Sequence, residues 1–77
     1  MNKTRREALA KVQDQLEAAK SEMESLRDEE QSYLDNMPES LQSSGRATAA
    51  GNAVSNLDDG ITSLEDAITS IGDAQSD

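Results

Sequence analysis

Hydrophobic residues recur every three or four positions along most of this chain. From Ala50 to Asp77 the sequence falls into sevens: AGNAVSN, LDDGITS, LEDAITS, IGDAQSD. Ala50, Leu57, Leu64 and Ile71 share one heptad position, and Val54, Ile61 and Ile68 share another. A spacing that alternates four and three is the seam of a helix that packs against other helices. The N-terminal half carries a second seam: Leu9, Val12, Leu16, Ala19, Met23, Leu26, Glu30, Tyr33 and Met37. Thr4 and Glu7 have capping-box spacing at its start. Lys3–Glu7, Glu7–Lys11 and Lys20–Glu24 add favourable pairs four residues apart. With no Gly or Pro before Pro38, the pattern predicts a first helix from about Arg5 to Asn36, roughly 48 Å long.

Pro38 ends that helix by pushing Met37 out of the helical region. Pro38 to Gln42 can form one short helical turn, with Leu41 capping the core and Pro at the first position. Ser43-Ser44-Gly45 is the second break, with Ser44 as N-cap of the next helix. That helix is predicted from about Arg46 to Ile71, roughly 39 Å. Gly72 is its expected stop, leaving 72–77 frayed and 37–45 as the turn. A connection this short makes the helices antiparallel neighbours. The expected fold is therefore all-α: one domain, 1–77, an antiparallel two-helix coiled-coil hairpin. Its register sets Tyr33 opposite Ala47 and Ala50, Ala19 opposite Leu64 and Ile68, and Lys3, Arg5 and Arg6 beside Asp73 and Asp77.

Two helices cannot enclose a core on every side. The second helix also carries Ala53, Gly60, Ala67 and Ala74, seven apart and beside its seam. A mid-helix Gly costs about 1 kcal/mol relative to Ala, and a line of small residues admits another helix closely. These four positions are the expected interface of a homodimer, two hairpins forming a four-helix bundle. Glu30 on the first seam is expected to reach water or Arg46 near the turn, or to fix register as a buried polar residue.

Composition narrows the chemistry. The chain has 77 residues and no Cys, His, Trp or Phe, with Tyr33 its single aromatic residue. Without His or Cys, and with no cleft in a two-helix hairpin, general acid–base or nucleophilic catalysis has no candidate residues. An enzyme is not expected, nor any cofactor. The acidic pairs lack the Glu-x-x-His pattern of a di-metal bundle. Asp58-Asp59-Gly60 lacks the alternating ligands of a calcium loop, so no metal is expected. No apolar run reaches membrane-spanning length, and a soluble cytoplasmic protein is expected.

Charge points to a partner. The net charge is −9, which opposes direct binding to nucleic acid or an anionic membrane and favours a basic protein surface. Residues 47 to 77 hold six acidic and no basic residues, a charge every 7 to 8 Å of helix. B-DNA carries one per about 1.7 Å, so a single helix is too sparse to imitate it. Asp58, Asp59, Glu65 and Asp66 are the candidate partner-binding residues, expected on the outer side of the second helix.

Three segments taken together carry a resemblance: MNKTRREAL at the start, YLDNMPESLQSSGR at the turn, and NLDDGITSLEDAITSI in the tail. They resemble a group of small acidic helical proteins encoded in phages, prophages and other mobile elements. Asp35 to Gln42 is the most specific part. Thr62-Ser63 and Thr69-Ser70 depart from the charge-rich tails of that group. The resemblance implies an accessory protein that binds and inhibits a host protein, such as a nucleic-acid-processing defence nuclease in the manner of an anti-CRISPR. The alternative expectation is a structural oligomerisation or scaffold module.

Overall fold

The computed structural model describes residues 1–76. Two long helices, α1 (Lys3–Asp35) and α2 (Gly45–Gln75), flank a single 3-10 turn at Glu39–Leu41. They pack antiparallel into a rod measuring 59 × 14 × 13 Å. The all-helical hairpin expected from the periodicity is the observed architecture.

The helix ends differ from expectation in informative ways. Asn2, not Thr4, is the N-cap of α1: its Oδ1 accepts a hydrogen bond from the Arg5 amide at 2.8 Å. Asn ranks at least with Thr as a cap and stands two residues earlier in the chain. At the far end, Gln42 folds back over α1. Its Nε2 donates to the Met37 carbonyl at 3.0 Å and to the Leu34 carbonyl at 3.4 Å. That side chain ties the turn to the end of α1, where the Met37 amide also donates to the Leu34 carbonyl at 3.2 Å. Pro38 precedes the 3-10 turn as its N-cap and is not its first residue. Ser44 is the N-cap of α2, as expected; its Oγ accepts from the Ala47 amide at 3.3 Å and donates to the Leu41 carbonyl at 2.6 Å.

Gly72 does not stop α2, which continues to Gln75. The added turn is held from both sides. Gln75 Nε2 donates to Gln13 Oε1 of α1 at 2.8 Å and to the Ile71 carbonyl at 3.3 Å. Residues 73–75 are therefore helical and partly docked rather than frayed. Lys3, Arg5 and Arg6 make no ion pair with Asp73; Lys3 instead meets Glu7 at 4.0 Å. Asp77, the other expected partner, lies outside the described residues.

The core is thin. Ala47, Ala50 and Val54, all in the first third of α2, are the buried residues among those described. The expected α2 seam is correct: Leu57, Ile61, Leu64, Ile68 and Ile71 follow these three along the inner face, half-buried. On α1 only half of the expected seam faces α2. Leu9, Leu16, Met23, Glu30 and Met37 are half-buried, and the line beside them toward α2 is Arg6, Gln13, Lys20, Arg27 and Leu34. The other expected line, Val12, Ala19, Leu26 and Tyr33, is exposed. Tyr33 and Ala19 thus do not face the α2 residues assigned to them, and Leu41 is exposed and does not cap the core. The cause is the cationic line: Lys20 and Arg27 lay their stems across the seam while their charged ends reach acidic residues on α2.

Candidate interaction surfaces

The hairpin has two flanks. On one, Arg27 Nε lies 2.9 Å from Asp58 Oδ1, and Lys20 Nζ lies 3.4 Å from Glu65 Oε1. The Asp58 hydrogen bond is the main cause of the raised pKa of Arg27, opposed in part by desolvation. Lys20 therefore serves α2, and the expected Lys20–Glu24 pair is not made; Glu7 pairs with Lys3 and not with Lys11. Pairs between exposed groups of this kind contribute only about 0–1 kcal/mol each. Together with Gln13–Gln75 they fix the antiparallel register.

This geometry divides the four candidate partner-binding residues. Asp58 and Glu65 flank the seam and are engaged inside the hairpin, so they do not lie on the outer side as expected. Asp59 and Asp66 do: both are exposed, with Asp73 seven residues further along the same line. Among the described residues none of these three has a cationic partner within ion-pair distance. The hydroxyls on this outer arc are spent on the helix itself. Thr62 donates to the Asp58 carbonyl and Ser63 to the Asp59 carbonyl, each at 3.1 Å, a local bond that lets a polar side chain sit mid-helix.

The opposite flank is apolar. Val12 is 39 %, Tyr33 49 % and Leu26 56 % exposed, and with Ala19 they form a ridge along α1. In the observed register they lie level with Ala74, Ala53, Gly60 and Ala67 of α2, all half-buried. Gly60 marks a close approach, but the group above it belongs to the same hairpin: a Cβ there would stand 2.7 Å from Met23 Cε. At the turn end the flank opens into a notch of about 420 Å³ lined by Tyr33, Met37, Pro38, Leu41 and Arg46. Glu30 stays half-buried in the seam and makes no ion pair among the described residues, with Arg46 or otherwise.

Among the described residues no group of three or more potential ligands converges on a metal position, and no helix is long and apolar enough to cross a membrane. Comparison with known protein families, curated proteins and solved structures returns no match. The surfaces themselves are what bears on function. The exposed α1 ridge was visible in the sequence as apolar positions; that it faces outward was not. The Arg6, Gln13, Lys20, Arg27 line, seven apart and mostly polar, was the signal that a second α1 stripe could face α2.

Proposed function

We propose that this chain is a non-enzymatic interaction protein of the phage accessory type. It binds a basic surface on a host protein, of the nucleic-acid-processing class, and inhibits it. The working form is a homodimer, two hairpins in a four-helix bundle. The observation that carries this reading is the outer line Asp59, Asp66, Asp73, exposed and unpaired within the hairpin, on a chain of net charge −9. Such a surface attracts a cationic partner at long range, and the attraction weakens as salt shortens the screening length from about 8 Å to about 3 Å.

The test compares two pairs of substitutions. Asp59→Asn with Asp66→Asn should leave helicity unchanged and abolish capture of a basic host protein, or protection of a phage from host defence. Asp58→Asn with Glu65→Gln removes the internal ion pairs and should affect capture less than stability. Full activity of the Asp59/Asp66 variant would sink the acidic-surface reading. It would favour the alternative, a structural self-assembly module, for which the exposed apolar ridge is the supporting observation.

A further inference from the structure

The acidic outer line of α2 makes no use of the turn, yet the turn is the most tightly tied part of the chain. The Leu41 amide donates to the Pro38 carbonyl at 2.8 Å, and the Ser44 amide to the Leu41 carbonyl at 3.0 Å. Side chains add to this: Gln42 reaches the Met37 and Leu34 carbonyls, and the Ser44 hydroxyl reaches the Leu41 carbonyl. The ring of Pro38 fixes its φ, here −56°. A backbone bonded at so many points holds its side chains where they stand. Leu41 and Tyr33 are thereby kept exposed.

These apolar groups are gathered in one place. Tyr33, Met37, Pro38 and Leu41 line the notch of about 420 Å³, a volume within the range of about 300–1,000 Å³ that small-molecule sites occupy. Arg46, in the first turn of α2, lines it as well. None of the 16 Asp and Glu residues of the chain does. Lys3, Lys20 and Arg27 each have an acidic partner, whereas among the described residues no carboxylate lies within ion-pair distance of Arg46. Nor does Arg46 serve its own helix, because a cation in the first turn opposes the helix dipole. An apolar wall thus stands beside one uncommitted guanidinium, on a chain of net charge −9.

We propose that this notch binds a small amphipathic carboxylate, a free molecule of one apolar ring or short branched chain. The apolar part packs on Tyr33, Met37, Pro38 and Leu41, and the carboxylate meets the Arg46 guanidinium. The planar fork of that group matches the two oxygens of a carboxylate, and the Tyr33 ring accepts a second ring edge-on or offset. A neutral apolar molecule would leave the guanidinium without a partner, and a bare anion would leave the wall wet. Because the turn is tied before any ligand arrives, little ordering opposes binding. Asp59, the nearest member of the outer acidic line, lies 13 residues beyond Arg46, about 20 Å along α2. Either site can fail without the other.

The probe is phenylpropionate, titrated into the full chain and followed by NMR shifts of amides and side chains. Saturable shifts should gather at Tyr33, Met37, Leu41 and Arg46, with a dissociation constant of about a millimolar for a ligand this small. The neutral amide of the same molecule should bind about fivefold more weakly, and acetate should give no saturable shift. Arg46→Gln should lose the same factor without lowering the melting temperature, since the cation it removes is disfavoured where it stands. Leu41→Ala should weaken binding by cutting back the wall, whereas Leu26→Ala, outside the notch on the same ridge, should not. If Arg46→Gln fails to fold, the comparison of acid with amide on the unaltered chain decides. Equal affinity for acid and amide, full affinity in Arg46→Gln, or shifts spread evenly along the ridge would each overturn the site. So would the lack of any saturable shift at about ten times the expected dissociation constant.

Discussion

Single residues settle the ends of each helix and the spacing between them. Gly51 lies seven residues into α2, and nothing stands within 4 Å of where a Cβ would be. Gly51→Ala should therefore stabilise the protein by about 1 kcal/mol through helix propensity alone, read from urea unfolding at a fixed protein concentration. Gly60 contrasts with it. Its added Cβ must push aside the terminal methyl of Met23, so Gly60→Ala should gain less than Gly51→Ala; an equal gain would mean the methyl moves without resistance. The caps act at the same scale. Ser44→Ala and Asn2→Ala should each lose about 1 kcal/mol, and the Ser44 loss should be the larger because its hydroxyl bonds on both sides of the turn.

Between whole helices, much was readable from sequence and some was not. Heptad spacing in α2 and the Pro38 to Gly45 break announced two antiparallel helices, because period and chain breaks are local properties. Which α1 stripe faces α2 is not local. Val12, Ala19, Leu26 and Tyr33 are as apolar as Leu9, Leu16 and Met23, and a helix with two apolar lines can turn either one inward. Lys20 and Arg27, meeting Glu65 and Asp58, accompany the choice, and that pairing is visible only across the register. For the same reason two of four acidic candidates proved to be internal partners. A double-mutant cycle on Arg27→Ala and Asp58→Ala should return a small favourable coupling that shrinks further at high salt. Since the Arg27 pKa is raised, the guanidinium's contribution is fully present below its ordinary value and is lost only as pH climbs past the raised one. Titrating from neutral to moderately alkaline pH should leave the coupling unchanged. The helix end once expected to fray gives a further check. Deleting residues 73–77 removes the Gln75–Gln13 bond and should cost about 1 kcal/mol; no loss at all would mean that the last turn contributes nothing.

The molecule as a whole is a rod with its best-buried residues at one end. Ala47, Ala50 and Val54 all lie just beyond the turn, whereas the last cross-strut, Gln13 to Gln75, joins residues 62 apart. Contacts near the turn close short loops and those at the far end close long ones, and loop closure becomes more costly with length. The order of assembly follows from that gradient. The chain should zip from the turn toward its termini, each helical turn of contact shortening the next loop to be closed. In the native state the same gradient makes opening begin where zipping finished. Amide hydrogens around Ala47 to Val54 should exchange slowest and those of α1 before Leu9 fastest, resolved residue by residue by NMR. Uniform protection along the rod would show that the hairpin opens as one unit rather than unzipping from its open end.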